Sequence, residues 1–292
     1  MKHSFPKIVR YSIILIMITC IQPGCEDTGR SLVYQPPQAA PIRVDSLAPS
    51  LLVEVDSGRR MSRGIFTQSG KSLVVFFHGN ACTINSMTDF ASALQQRGYS
   101  TLLVEYPGYG ISSEYSPAEE RIYRDANTLV SYIQKKYHFD NRHTVLFGQS
   151  LGTGVAMELA TRGTGGKLVL VSPFSSLVAV AKHHYPGFLV SIVLSETYDN
   201  LTKADNVTVP VLIIHGKKDR VVPYRMGEVL TRKLKNARMF SIHGAGHNDI
   251  YYYFDSRLWN EIDVFIKERY QTCNMRRTHA FRYYNRHIQR YR

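Results

Sequence analysis

An α/β fold, with a doubly wound, mostly parallel sheet and helices on both faces, is what this 292-residue sequence predicts, and three observations predict it. Apolar runs suited to strands buried on both faces alternate with helix-like stretches between residues 72 and 270. One of those runs passes at once through G-x-S-x-G at 148–152 into a helix-like segment, a strand–turn–helix junction. Residues 173–207 break the alternation and read as a short cap insertion over the strands' carboxyl ends, where such sheets carry their sites.

The elements follow in order. Leu51 to Val55 and Arg63 to Thr67 suit a leading hairpin of edge strands. Ser72 to Phe77 is a continuous apolar run, hence a strand buried on both faces. Asn85 to Arg97 reads as a helix stopped by Gly98. Ser100 to Glu105 is the next strand, and the Pro/Gly content of 106–113 makes a loop. Ser116 is a suitable cap for a long helix to Lys136, with Pro117 at its first turn and acids after it. Thr144 to Phe147 is the strand before the turn and Val155 to Ala160 the helix after it. Lys167 to Ser172, Val209 to His215 and Ala237 to Ile242 are strands; Tyr224 to Lys235 and Asp255 to Tyr270 are helices.

Composition, 44% hydrophobic and 20% charged, suits one large globular domain over about 50–270. Cysteines at 20, 25, 82 and 273 show no metal-type spacing and no disulfide framework. No metal or cofactor is implied. The net charge of +13 is uneven: residues 271–292 hold six arginines and no acid.

The N-terminus reads as an address. Lys2, Lys7 and Arg10 precede the apolar run Ile13 to Ile21, the pattern of a secretory signal and too short for a comfortable membrane span. Small residues then lead to Cys25, resembling a bacterial lipobox with Gln22 where an aliphatic residue is usual; Cys20 is a second candidate. Residues 1–25 are thus expected to be a signal or lipobox-like segment, with Cys25 the lipidation candidate. A plain cleaved signal and an uncleaved anchor are the alternatives. Residues 26–49, with Pro36, Pro37, Pro41 and Pro49, read as an extended tether. The expected location is the bacterial cell envelope, membrane-anchored, or else secreted or periplasmic.

In the tail, Phe281, Tyr284, Ile288 and Tyr291 recur at helical spacing among Arg277, Arg282, Arg286 and Arg290. Such a segment could lie on an anionic membrane surface or stay a solvated tail. A secretory signal argues against nucleic acid as a partner.

Chemistry converges on three residues. A tight turn would expose the Ser150 hydroxyl at a helix N-terminus, but serine is a weak nucleophile and needs a base, which needs an orienting acid. In this architecture the chain order is serine, acid, histidine. Asp219 lies in the loop after one late strand and His247 in a Gly-rich loop after the next. Asp205, before its strand, is a weaker acid candidate; His215 and His243 suit structural roles, and Asp249 could bond within the His247 loop. An oxyanion needs donors. The Leu151 N–H follows the nucleophile, and the Asn80 backbone N–H lies in the loop after the 72–77 strand. Cys82, nearby, suits a pocket wall because no base is assigned to its thiol.

Five motifs in this order carry a resemblance: H-G-N-A at 78–81, Y-P-G-Y-G-x-S at 106–112, G-x-S-x-G at 148–152, H-G-x-x-D-x-x-V-P at 215–223 and G-x-x-H-N-D at 244–249. Across residues 50–270 the chain resembles α/β-hydrolase-fold serine hydrolases, in a branch that includes membrane-associated acyl-thioester and lipid-ester hydrolases. The resemblance implies hydrolysis of carboxylic esters or thioesters, with Ser150 as nucleophile, His247 as base then acid, and Asp219 as its orienter. Acyl transfer, peptide cleavage and a non-catalytic binding role on the same scaffold remain the alternatives. The substrate expected is an acyl ester or thioester, and a membrane surface is the expected partner of the N-terminal anchor.

Overall fold

The computed structural model describes residues 25–37, 49–56, 58, 60–188, 190 and 194–268. Its strands are β1 (Ser50–Asp56), β2 (Met61–Thr67), β3 (Leu73–Phe77), β4 (Ser100–Val104), β5 (Thr144–Gln149), β6 (Lys167–Val171), β7 (Val211–Gly216) and β8 (Ala237–Ile242). They form one sheet in the order β1-β2-β4-β3-β5-β6-β7-β8. Pairing is antiparallel for β1 with β2 and β2 with β4, and parallel from β4 to β8. The leading hairpin is present, with β1 as the edge; β2 is covered on both sides and is not an edge strand.

The described helices are α1 (Cys25–Val33), α2 (Thr88–Gln96), α3 (Glu119–Tyr137), α4 (Leu151–Thr161), α5 (Leu177–His184), α6 (Asn200–Lys203), α7 (Tyr224–Lys233) and α8 (Ser256–Lys267). Alternation along the strands sends successive side chains to opposite faces. Val75, Phe77, Leu146, Leu168 and Leu170 meet α3, α4 and α7 on one face. Val74, Phe76, Val145, Phe147 and Val169 meet α2 and α8 on the other. All five residues of β3 are buried, and a fully buried aliphatic or aromatic side chain contributes roughly 1.5–3 kcal/mol. The sheet is thus apolar on both faces because both are covered.

Three local expectations differ from the structure. Helix α3 starts at Glu119, not beside Ser116: its cap position is Ala118, which has no side-chain oxygen to offer. The Glu119 N–H is instead taken by Glu196 Oε2 at 2.5 Å, a carboxylate at a positive helix end. Helix α4 starts at Leu151, four residues before the expected Val155, because its glycines serve close packing rather than ending the helix. The segment 26–49, expected as an extended tether, carries α1 and buries Val33 and Tyr34 in the core. The first 24 residues and the tail from 269 onward lie outside the described residues, so the signal, anchor and basic-tail readings fall there.

Residues 173–207, expected as a cap, contain α5 and α6. Ser176 caps α5 by accepting the Ala179 N–H at 3.1 Å, and Asp199 caps α6 by accepting that of Thr202 at 3.1 Å. The two halves of the insertion are tied by Leu177 N–H to Thr197 O and Leu201 N–H to Ser175 O, both 2.9 Å. None of the described helices is long and apolar enough to cross a membrane.

Candidate active site

Ser150 stands where β5 ends and α4 begins. The turn has no room for side chains at its flanks. A Cβ on Gly148 would collide with the Gly152 carbonyl, and one on Gly152 with the Phe77 carbonyl. Ser150 takes φ 49° and ψ −116°, a conformation that costs a non-glycine residue of order 1–3 kcal/mol. Its N–H is held by the Val171 carbonyl at 2.9 Å, so the neighbouring strand helps to sustain the strain.

The loop after β7 supplies Asp219, which is buried. Its Oδ1 accepts the N–H groups of Val221 at 2.9 Å and Val222 at 2.8 Å. Its Oδ2 lies 2.7 Å from His247 Nδ1, and His247 Nε2 lies 3.0 Å from Ser150 Oγ. An ionised carboxylate accepts only, so Nδ1 carries the proton and Nε2 is left to accept from the serine hydroxyl. Burial works against the Asp219 charge. Hydrogen bonds from His215 and His247, the charge of His247 and the Val222 N–H outweigh it and hold the carboxyl well below the usual carboxylate range.

The three residues singled out in the sequence therefore lie on one hydrogen-bonded line. Asp205, His243 and Asp249 do not join it. Asp205 pairs with Lys233 at 2.7 Å at the surface. His243 Nε2 accepts from Lys217 Nζ at 3.1 Å. Asp249 Oδ1 accepts the Gly246 N–H at 2.6 Å, shaping the loop that presents His247.

The loop 78–80 runs beside the serine: a Cβ on Gly79 would sit 3.6 Å from Ser150 Cβ. Leu151 is the first residue of α4, so its N–H has no carbonyl within the helix to bond. Gly79, the neighbour of Asn80, and Leu151 thus border the serine from two elements. Beneath the loop, His78 Nε2 lies 2.9 Å from Glu105 Oε1, both side chains essentially inaccessible. The Tyr106 hydroxyl donates to the His78 carbonyl at 2.9 Å, and the two ring centroids lie 3.9 Å apart with the planes tilted by 31°. Cys82 is half-buried near Gly79, and burial, opposed by hydrogen bonds from Ser86 and Gly79, pushes its thiol up. It has the character of a wall residue.

Sequence reasoning missed three parts. His215, read as structural, is fully buried with Nε2 3.4 Å from Asp219 Oδ2; its position four residues before the acid was the available signal. The Glu105–His78 pair needed the parallel register of β3 and β4 to be known. The Asn80 side chain, which need not take part in the oxyanion reading, bonds the N-terminal segment, and nothing in its local sequence says so.

The family descriptions that match are "Serine aminopeptidase, S33" over residues 68–191 and "TAP-like protein" over residues 193–256. An uncharacterized protein of Mycobacterium tuberculosis is 32% identical over 227 residues, 75% of this chain and 80% of the relative. Alpha/beta hydrolase domain-containing protein 17B of Homo sapiens is 30% identical over 187 residues, 63% of this chain and 63% of its own length. Among solved structures, the Pyrococcus furiosus esterase Pf2001 superposes with TM-score 0.68 at 18% identity, covering 80% of this chain and 98% of that one. The Pyrococcus horikoshii acylaminoacyl peptidase does so with TM-score 0.61 at 13% identity, covering 77% of this chain and 43% of that one. The superpositions show the fold alone; by its sequence relatives and family matches the chain belongs to the α/β-hydrolase family.

Proposed function

We propose that this protein is a serine hydrolase that cleaves carboxylic esters or thioesters through an acyl-enzyme. The observation that carries the reading is the unbroken relay from Asp219 through His247 to the strained Ser150, with contacts of 2.7 and 3.0 Å. Ser150 Oγ attacks the acyl carbonyl while His247 Nε2 takes its proton. Charge builds on the carbonyl oxygen, which the backbone N–H groups of Asn80 and Leu151 are suited to receive. Collapse expels the alkoxide or thiolate, protonated by His247, and leaves the acyl group on Ser150. Water, deprotonated by the same imidazole, then releases the acid and restores the serine. Asp219 keeps the imidazole in the required tautomer and stabilises its cation.

The insertion 173–207 is suited to act as the acyl-chain cap. His184 Nε2 donates to the Val221 carbonyl at 2.8 Å, which joins α5 to the loop that carries Asp219. Tyr185, Phe188 and Val221 are exposed apolar residues of the same region, and such a patch favours acyl chains or a lipid surface. With Cys25 lipidated, the enzyme would work at the envelope membrane, the basic tail adding attraction to anionic lipid. Amide cleavage is the second reading. It is favoured by the match to the description "Serine aminopeptidase, S33" and by the shared acyl-enzyme chemistry.

The test is fluorophosphonate labelling of the full chain and of Ser150→Ala, followed by matched ester, thioester and amide substrates of rising acyl length. Labelling lost in the variant, with esters or thioesters turned over faster than amides, is the expected result. Amides turned over as fast would move the reading to a peptidase. A folded wild type that never labels would favour a binding role.

A further inference from the structure

The N-terminal segment ends its helix against the site rather than in solvent. Asn80 Nδ2 donates to the Val33 carbonyl at 2.6 Å, and Asn80 Oδ1 accepts the Gln35 N–H at 3.1 Å and the Tyr109 hydroxyl at 2.6 Å. Three of the four hydrogen-bonding positions of this amide are therefore filled, two of them by backbone from a segment 45 or more residues away in sequence. The network also assigns which end of the amide is oxygen.

Between those two contacts Tyr34 is buried, at 4% exposure. Its hydroxyl donates to Glu196 Oε2 at 2.8 Å and lies 2.9 Å from the Tyr198 hydroxyl. Tyr34 has one proton and the carboxylate takes it, so Tyr198 donates to Tyr34. Burial first, then the charge of Glu196, opposed by the Tyr198 hydrogen bond, hold the Tyr34 hydroxyl far above its ordinary range; it remains a donor. Arg30 Nε reaches the other oxygen of Glu196 at 2.9 Å. Glu196 in turn takes the Glu119 N–H that opens α3, while Glu119 Oε2 accepts the N–H of Thr197 at 2.7 Å. One buried carboxylate of the insertion thus ties together the N-terminal segment, the insertion and α3.

We propose that residues 30–35 form a positioning strap for the oxyanion loop, acting through the Asn80 side chain. This rests on the reading of Asn80 as an oxyanion donor. Fixing the amide at both ends fixes the residue's rotamer and, with it, the direction of the backbone N–H beside Ser150. An N–H turned away contributes nothing in the transition state, and one well-placed donor is worth roughly 10²–10³ in kcat. The strap also runs directly back to Cys25, the first residue of α1, so attachment of the chain at that end and the geometry of the loop share one segment.

The experiment uses the full chain with Tyr34→Phe, Asn80→Asp and the double variant. Tyr34→Phe removes the hydroxyl held by Glu196 and keeps the ring. Asn80→Asp keeps the shape and sets an acceptor against the Val33 carbonyl. The readouts are kcat and KM on an activated ester, the fluorophosphonate labelling rate, and thermal midpoint. The expected result is kcat lowered about tenfold in Tyr34→Phe and about a hundredfold in Asn80→Asp, with KM within about twofold in each. The double variant should lose no more than Asn80→Asp alone, since both act through one contact. Wild-type kcat in both folded single variants, or loss appearing only as a lower thermal midpoint, overturns the strap. A wild type that neither labels nor hydrolyses removes the catalytic reading, and the strap's role falls with it.

Discussion

Nε2 of His215 lies 3.4 Å from Oδ2 of Asp219, the oxygen that also meets His247 Nδ1. His215 is fully buried, and its Nε2 donates to the Val222 carbonyl at 3.0 Å, which fixes the proton on that nitrogen. Nδ1 has no hydrogen-bond partner among the described residues. Over it passes Gly227 of α7, where an added Cβ would stand 2.5 Å from Nδ1. The acid is thus held by backbone on one oxygen and flanked by two histidines on the other.

Gly227→Ala sets two effects against each other. Alanine in a helix interior gains about 1 kcal/mol over glycine, whereas overpacking a buried site costs typically 1–3 kcal/mol. The ring of His215 has no free space to give and stands against the acid, so overpacking wins. Urea denaturation should show a net loss of up to about 2 kcal/mol, with ester turnover reduced as Asp219 shifts. A more stable, fully active variant would show that the His215 contact is slack.

Strain at Ser150 predicts an ordering among inactive variants. Relief of φ 49°, ψ −116° by glycine is worth of order 1–3 kcal/mol, less the 0.5–1 kcal/mol or so that glycine loses in conformational entropy. Ser150→Gly should therefore be about 1 kcal/mol more stable than Ser150→Ala in urea denaturation, while both lower turnover by roughly 10⁶-fold. Equal stability would mean that the turn is not strained.

What was legible in the sequence followed from burial and local chemistry. Leu73–Phe77 could be read because a strand covered on both faces needs apolar residues throughout. Ser150, Asp219 and His247 could be singled out by their chain order, and the structure brings them onto one hydrogen-bonded line. Features made at long range could not. Gly152 looks like a helix breaker until the Phe77 carbonyl is seen against it. The cap of α3 comes from Glu196, 77 residues away, and Ser116 offers a plausible local substitute. Tyr34 sits in a proline-rich stretch that reads as tether, and only its pairing with Glu196 and Tyr198 explains its burial.

Lys167 predicts how the C-terminal helix is held. This lysine opens β6, is 5% exposed, and donates from Nζ to the carbonyls of Phe265 at 2.8 Å, Ile266 at 2.6 Å and Glu268 at 2.7 Å. Helix ends leave carbonyls without intrahelical partners, and a cation there also suits the helix dipole. Lys167→Met keeps the apolar stem and removes all three bonds. Bonds to a charged group contribute about 1.5–3 kcal/mol each at most and are not additive, so a loss of about 2–4 kcal/mol is expected in urea denaturation. Hydrogen exchange should rise first in the last turn of α8. Exchange unchanged there would assign the cap to other groups.

Acid stability provides a separate measure of the Asp219 environment. Burial disfavours its charge, but the hydrogen bonds from His215 and His247, the His247 charge and the Val222 N–H leave the folded carboxyl well below the usual range. The unfolded carboxyl titrates near about 3.9. A group depressed in the folded state stabilises the fold fully above the unfolded value, and the contribution is lost as pH falls from there through the folded value. Wild type should therefore exceed Asp219→Asn in stability from neutral pH down to about pH 5, and the margin should shrink only below about pH 4. Urea denaturation of both proteins between about pH 3 and 7 reads it directly. A margin already closing between about pH 5 and 7 would mean that Asp219 is not held ionised by these partners. By the same argument, loss of ester hydrolysis above about pH 5 cannot be protonation of Asp219.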